Sequence, residues 1–277
     1  MSAIGFIGLG QIGSPMAGHL IGWPGGLVVC DVLPNATAAL EGRGARVEPT
    51  PAGVAQRVDL ISIMVRDDDQ VRQVVGDILP AASRGTVVAI HSTIAPATGE
   101  ALAAEADPHG VAVVDAPVSG GFVGAAQGSL AVFVGGPADA VERCRASFER
   151  WSTLFVHTGP VGSATRAKLA RNLLQFAAFA AALEAQRLAE AAGIDLVEFA
   201  KVVKHSDRVT GGPGAIMLRD TTEPLGEDGP LRAILTHTRE LGEKDLRLAL
   251  ELGADLGIDL PFAALALQRF GPALGLP

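Results

Sequence analysis

The sequence has few of the residues that nucleic-acid, metal or disulfide-bonded proteins depend on. It has no Tyr, aromatic residues make up 4% of its 277 residues, and the net charge is −8. Few rings are therefore available to stack on bases, and a phosphate backbone is repelled. Cys30 and Cys144 are the two cysteines, and neither has metal-ligand spacing. We predict no metal site, no disulfide framework and no nucleic-acid partner.

Long apolar runs are also missing. The longest, residues 173–183, is interrupted by Gln175 and is too short to cross a bilayer. The first residues lack a basic leader before the apolar stretch. These features predict a cytoplasmic protein with no membrane partner. The 48% share of hydrophobic residues is enough for a sizeable core.

The first part of the chain alternates strand-like and helix-like segments. Short β-branched runs at residues 3–8, 27–31, 60–65, 86–91, 111–115 and 130–134 predict buried strands. Helical segments at residues 67–82, 96–106 and 138–151 lie between several of them. This alternation predicts an α/β Rossmann domain over residues 1–162, with a mainly parallel sheet covered on both faces.

The pattern changes after Gly162. Residues 163–192 contain neither Gly nor Pro, which predicts one helix about 45 Å long at 1.5 Å per residue. The helical segments that follow, residues 196–205, 231–252 and 262–270, are separated by turns rich in Gly and Pro. We therefore predict a second, all-α domain over residues 163–277 that includes the long helix.

A glycine-rich turn follows the first predicted strand. The sequence Gly8-Leu9-Gly10-Gln11-Ile12-Gly13 matches the GxGxxG dinucleotide fingerprint, and Asp31 ends the next strand about 20 residues later. A carboxylate there accepts hydrogen bonds from the ribose hydroxyls and repels a 2′-phosphate. We therefore expect NAD as the cofactor in preference to NADP. The alternative is a purely structural turn with a solvated Asp31.

Four further motifs turn this general pattern into a family resemblance. They are HSTIAP at residues 91–96, DAPVSGG at residues 115–121, KLARN at residues 168–172 and KDL at residues 244–246. Their order and spacing resemble the β-hydroxyacid dehydrogenases, typified by 3-hydroxyisobutyrate dehydrogenase and tartronate semialdehyde reductase. The resemblance covers nearly the whole chain. It implies hydride transfer between NAD and a short β-hydroxyacid or its semialdehyde.

The resemblance also implies a role for individual residues. Lys168 would be the general acid/base, the substrate would be bound by Ser119, Gly120, Gly121 and Asn172, and Val65, Arg66, Thr93 and Lys244 would contact NAD beside the glycine turn. The chemistry agrees, because oxidising an alcohol requires a base to take the hydroxyl proton as hydride leaves carbon. Lys168 and Asn172, four positions apart, share one helix face. Lys168 could instead face solvent, and Lys244 could simply pair with Asp245.

Two other functions stay open. Imine reductases resemble this architecture but usually replace the Lys with Asp or Tyr, and some relatives keep the fold as catalytically silent dinucleotide-binding proteins. Lys168 and the intact DAPVSGG motif favour the dehydrogenase. The expected ligand is a small substrate bearing a carboxylate. The Ala-rich long helix would leave apolar surface uncovered in a monomer, so we expect a homodimer or homotetramer.

Overall fold

A computed structural model describes residues 2–276 of the chain. It forms two compact units, one up to Arg171 and one from Asn172 onward. The strands are β1 (Ile4–Ile7), β2 (Leu27–Cys30), β3 (Arg46–Val47), β4 (Leu60–Ile63), β5 (Val87–Ile90), β6 (Ala112–Asp115), β7 (Val118–Ser119), β8 (Leu130–Gly135) and β9 (Ser152–Gly159). The helices are α1 (Gly13–Gly18), α2 (Pro34–Glu41), α3 (Pro51–Ala55), α4 (Asp68–Ile78), α5 (Pro96–Ala106), α6 (Gly121–Gln127), α7 (Ala138–Phe148), α8 (Ser163–Ala191), α9 (Leu196–Thr210), α10 (Arg232–Asp255) and α11 (Pro261–Ala273).

The strands of the first unit form one mainly parallel sheet, which confirms the predicted α/β architecture. The strand order is β3-β2-β1-β4-β5-β6-β8-β7, and β9 pairs with β8. Strands β1 to β6 run parallel, whereas β8 is antiparallel to both β6 and β7. Strand order reverses at β1, with β2 on one side and β4 on the other. In such sheets ligands bind beyond the carboxyl ends of the strands at this reversal.

The carboxyl ends of the central strands are in register. Ile7 at the end of β1 pairs with Cys30 of β2 and with Ile63 of β4. Ile63 pairs with Ile90, and Ile90 with Asp115. The residue that follows each of these strands therefore emerges at one edge of the sheet. This register brings the glycine turn and the loops after β2, β4, β5 and β6 to the same edge.

The sheet is buried on both faces, because consecutive strand residues contribute to different apolar clusters. Phe6 packs in one cluster with Val29, Phe148 and Trp151. Its neighbour Ile7 packs in the other, against residues of α4 and α5. The sheet therefore has helices on both faces, and its edge carries the polar loops.

Three strands and three helices of the first unit were not predicted. Strand β3 and strand β7 have two residues each, too few for a periodic pattern. Strand β9 has half of its residues exposed and no apolar alternation. The missed helices α2, α3 and α6 have eight residues or fewer, so they carry too few turns for an apolar stripe.

The second unit consists of helices, as predicted. Helix α8 ends at Ala191, within one residue of the predicted end at residue 192. The Glu184 carboxylate accepts the N–H groups of Phe262 and Ala263 at 3.1 and 2.9 Å, which caps the start of α11. A small core forms around Leu235 and Leu274. Among residues 2–276, none of the helices is both long and apolar enough to span a membrane.

Candidate cofactor and active site

The glycine turn between β1 and α1 is close-packed at two positions and open at the third. A Cβ on Gly8 would collide with the Met64 carbonyl oxygen, and Gly8 has φ +91°. A Cβ on Gly13 would collide with the Gly8 carbonyl oxygen. A Cβ on Gly10 would meet nothing within 4 Å. Gly8 and Gly13 therefore hold the turn, whereas Gly10 leaves room for a ligand to approach the backbone.

Asp31 is fixed beside this turn by the backbone. Its Oδ2 accepts the Leu9 N–H at 2.6 Å and its Oδ1 accepts the Leu33 N–H at 2.8 Å. An ionised carboxylate can accept about four hydrogen bonds, so capacity remains for two ribose hydroxyls. The next side chain, Val32, is 94% exposed and brings no positive charge toward the carboxylate. The turn and the acid thus fit an adenosine ribose without a 2′-phosphate.

The loops after β4 and β5 are joined at the same edge. The Val65 N–H donates to Ser92 Oγ at 3.0 Å, and the Ser92 hydroxyl donates to the Val65 carbonyl oxygen at 2.7 Å. Arg66 and Thr93 are exposed next to this pair. The structure therefore brings Val65, Arg66 and Thr93 to the edge that carries the glycine turn and Asp31.

His91 supports this edge from inside. Its Nδ1 lies 2.8 Å from the Ala116 carbonyl oxygen, which can only accept, so Nδ1 carries the proton. Its Nε2 then accepts from the Ser62 hydroxyl at 3.0 Å. Burial among aromatic rings lowers the pKa of His91 to about 4. The imidazole is therefore neutral at pH 7 and joins β4, β5 and the chain after β6.

The Ser119-Gly120-Gly121 segment forms an exposed turn where β7 meets α6. Gly120 has φ +134° and Gly121 has φ +62°, both of which are unfavourable for side chains with a Cβ. Gly121 is the first residue of α6, where an N–H has no acceptor within the helix. Ser119 is half-buried beside them. A hydroxyl and a backbone N–H are thus available for a carboxylate ligand.

Lys168 differs from the other lysines. Lys201, Lys204 and Lys244 are exposed, whereas Lys168 is only 8% exposed. The Lys168 ammonium forms no ion pair with any residue among residues 2–276. Burial lowers the pKa of Lys168 to about 8, and the nearby Arg171 guanidinium contributes to the shift. At a pKa of about 8, roughly a tenth of the Lys168 amine is unprotonated at pH 7, far more than in an ordinary lysine.

The two remaining predicted residues belong to the second unit. Asn172 is half-buried on α8. Lys244 lies on α10 and its ammonium is 2.7 Å from the Asp245 carboxylate, with both side chains more than half exposed. This is the charge pair that the sequence left open as an alternative. A cofactor contact of Lys244 stays a prediction.

Two features of the first unit could not be anticipated from the motifs. Arg171 is half-buried, and its positive charge contributes to the lowered pKa of Lys168. Asp115, read only as the start of DAPVSGG, is completely buried and accepts two N–H groups at the start of α8. Both interactions depend on tertiary placement, and Asp115 is separated from its donors by 47 and 50 residues.

Comparisons with known proteins give the family of this arrangement. Residues 3–159 match the family described as the NAD binding domain of 6-phosphogluconate dehydrogenase. An uncharacterized oxidoreductase of Mycobacterium tuberculosis is 53% identical, over 99% of this chain and 94% of its own length. The NAD-dependent L-serine dehydrogenase of Pseudomonas aeruginosa is 32% identical, over 98% of this chain and 91% of its own.

Solved structures of other proteins have the same fold as this chain. The crystal structure of a candidate oxidoreductase from Mycobacterium avium 104 is similar with a TM-score of 0.95 and 48% identity, and covers 99% of both chains. An imine reductase from Myxococcus stipitatus has a TM-score of 0.78 at 20% identity, over 98% of this chain and 92% of its own. At that identity the likeness shows the fold alone.

From the packing of the glycine turn we expect different effects for two Gly→Ala variants, one on stability and one on dinucleotide binding. Gly13→Ala should lower the free energy of unfolding by about 1–3 kcal/mol, because the added methyl group overlaps a carbonyl oxygen. Gly10→Ala should change it by less than about 0.5 kcal/mol but weaken dinucleotide binding at least about tenfold. Urea unfolding and dinucleotide titration of both variants measure this. Unchanged affinity in Gly10→Ala would contradict a ligand site at this turn.

Substitution of Arg171 tests its effect on the pKa of Lys168. Removing the positive charge in Arg171→Gln should raise the pKa of Lys168, and by less than burial lowers it, because burial is the larger cause. The pH dependence of Lys168 acetylation, followed by mass spectrometry, reports this pKa, and the exposed lysines serve as internal references. Arg187→Gln, an exposed position on the same helix, is the matched control. Identical Lys168 profiles in both variants would contradict the proposed coupling.

Proposed function

The chain belongs to the family of the 6-phosphogluconate dehydrogenase NAD binding domain, and on that premise we propose that it is an NAD-dependent dehydrogenase of short β-hydroxyacids or their semialdehydes. The observation that carries the proposal is the buried Lys168 amine, unpaired with any carboxylate among residues 2–276 and with its pKa lowered to about 8. An oxidoreductase that needs no proton transfer would have no use for such a costly group.

Lys168 performs the proton transfer. The unprotonated amine accepts the hydroxyl proton of the substrate and becomes an ammonium, as the carbon–hydrogen bond breaks and the carbonyl forms. Bound NAD supplies the acceptor for the hydride. In the reverse direction the Lys168 ammonium returns its proton to the alkoxide oxygen. Because the pKa of Lys168 is about 8, the ammonium predominates at pH 7, and roughly a tenth of the amine is unprotonated and able to accept a proton.

The first unit binds the cofactor through its sheet edge. The glycine turn, Gly8 to Gly13, would receive the pyrophosphate at Gly10, and Asp31 would receive the ribose hydroxyls. Val65, Arg66 and Thr93 lie on the same edge and would contact the remainder of NAD, with Lys244 as a contact from the second unit. Asp31 carries the preference for NAD over NADP, because its charge repels a 2′-phosphate.

Ser119, Gly120 and Gly121 bind the substrate carboxylate in this proposal. The Ser119 hydroxyl and the N–H of Gly121 are donors of the kind that anions favour, and both glycines have φ values that disfavour a side chain with a Cβ. Asn172, four residues after Lys168 on α8, would hold the substrate hydroxyl or carboxylate. A small carboxylate-bearing molecule is the substrate class that this donor set fits.

An imine reductase is the second candidate, since such an enzyme shares the fold. An imine without a carboxylate would leave the Ser119-Gly120-Gly121 donors unused. A catalytically silent dinucleotide-binding protein would have no need of the buried Lys168. Both observations favour the dehydrogenase over these alternatives.

Self-association is a further part of the proposal. The helices of the second unit carry many apolar side chains that are more than half exposed, among them Leu173, Phe176, Phe179, Leu183, Val197, Val202, Val209, Ile234, Leu248 and Leu265. A monomer with so much apolar helix surface is unusual. We therefore propose a homodimer or homotetramer. The domain boundary near Gly162 and the cytoplasmic location, both predicted from the sequence, are also part of the proposal.

Lys168→Ala tests the proposed proton transfer. We expect the turnover number to fall about 10²–10⁴-fold, the usual contribution of general acid/base catalysis, with NADH affinity unchanged. The assay follows NADH absorbance on a panel of small β-hydroxyacids, with a carboxylate-free cyclic imine as the counter-substrate. Lys201→Ala, which removes an exposed lysine, is the control. Full turnover in Lys168→Ala, or activity on the imine alone, would overturn the proposed function.

Asp31→Asn tests the cofactor preference. Loss of the charge should reduce the ratio of kcat/KM for NAD over NADP at least about tenfold, because charge-assisted hydrogen bonds contribute about 1.5–3 kcal/mol and 1.4 kcal/mol corresponds to a factor of ten. Steady-state kinetics with both cofactors measures it. Asp69→Asn, an exposed acid on α4, makes the same change in net charge and should leave the ratio unchanged. An unchanged ratio in Asp31→Asn would show that another residue selects the cofactor.

A further inference from the structure

We propose that Asp115 is a positioning residue, which holds the start of helix α8 so that Lys168 lies at a fixed place relative to the substrate-binding turn. This inference rests on the proposed function, in which Lys168 transfers the proton. Asp115 is the last residue of β6 and is 0% exposed. Asp115 begins the DAPVSGG motif that contains the Ser119-Gly120-Gly121 turn.

The Asp115 carboxylate binds the first turn of α8 with both oxygens. Oδ1 accepts the Gly162 N–H at 2.8 Å and Oδ2 accepts the Thr165 N–H at 2.7 Å. Among residues 2–276, no Lys or Arg forms an ion pair with it. A buried carboxylate of this kind is stabilised by the N–H groups it accepts and by the positive end of the helix dipole. It is therefore satisfied only while α8 keeps its present position.

The residues around the Asp115 carboxylate and the start of α8 are closely packed. A Cβ on Gly135, the residue paired with Asp115 in the sheet, would collide with Asp115 Oδ1 and lie 2.8 Å from both the Pro160 carbonyl oxygen and Ser163 Oγ. Ser163 Oγ is also 2.8 Å from Thr158 Oγ1 on β9. Residues of β6, β8 and β9 thus all lie close to the start of the helix.

Thr165, whose N–H the Asp115 carboxylate accepts, lies about one helical turn before Lys168, the proposed acid/base. Lys168 follows Thr165 by three positions, so the two share one helix face, about 4.5 Å apart along the axis at 1.5 Å per residue. Both side chains are buried, at 8% and 1% exposure. In the other direction the chain reaches Ser119 four residues after Asp115, through Pro117. One carboxylate therefore connects the helix of the proton-transfer group to the strand that leads to the substrate turn.

Positioning of this kind has a large kinetic effect. A misplacement of about 1 Å at a reacting group can reduce the rate about 10²-fold. In Asp115→Asn the side chain keeps its shape, but an amide nitrogen, which donates and does not accept, replaces one carboxylate oxygen. One N–H of the α8 first turn then loses its acceptor and faces another donor. We expect the helix start to shift and the Lys168 amine to shift with it.

The test is a double-mutant cycle with Lys168→Ala. In the wild-type background, Asp115→Asn should lower kcat about 10–100-fold and leave the NADH dissociation constant within about twofold. In the Lys168→Ala background the same change should lower the residual rate less than about twofold, because no amine is left to misplace. Glu100→Gln is the matched control: it removes an exposed 2.6 Å ion pair to Arg166 in the same part of α8, and kcat should not change.

Each outcome separates the two proposals. Full turnover in Lys168→Ala alone would overturn the proposed function. If Lys168→Ala is inactive as expected, an equal loss on Asp115→Asn in both backgrounds would show a merely structural role, and no loss in either would show no role. If Asp115→Asn does not fold, Thr165→Pro takes its place in the cycle, because it removes one donor in the first helical turn, where Pro is tolerated. An unchanged kcat in that folded variant would likewise overturn the inference.

Discussion

The hydrogen bonds between the Asp115 carboxylate and the N–H groups of Gly162 and Thr165 are the constraint on which the proposed site depends. They join the end of a central strand to the start of the long helix, and neither partner has another way to satisfy its polar groups away from water. Because Lys168 follows one turn later, the sheet determines where its amine lies. The proposed chemistry also requires that the cofactor binds at the edge of this sheet.

The parallel register of the sheet brings the loops proposed to bind the cofactor to one edge. Since Ile7, Cys30, Ile63, Ile90 and Asp115 form a continuous row of paired residues, the loops after five strands emerge at one edge. The glycine turn, Asp31 and the two loops joined by Ser92 therefore lie at the same edge of the sheet. Burial of the Lys168 amine and the nearby Arg171 charge lower its pKa into the range where proton transfer is efficient.

Much of this architecture could be predicted from the sequence, because local patterns carry it. The main strands, the long helix from Ser163 and the GxGxxG turn are each encoded within a few residues to a few turns. The short strands and helices escaped prediction because they lack a full period of apolar residues. Asp115 and Arg171 escaped for a different reason: their roles arise only when distant segments pack, and neither composition nor spacing reveals which N–H group or amine they will meet.

The spatial relation between the Lys168 amine and the reacting carbon is the central claim, and a crystal structure with NAD and a bound β-hydroxyacid tests it most directly. We expect Lys168 Nζ within about 2.6–3.2 Å of the substrate hydroxyl oxygen, with the carbon that bears it facing the nicotinamide ring. A structure in which the amine points into bulk water, away from that ring, would contradict the proposed enzyme and leave only a dinucleotide-binding protein.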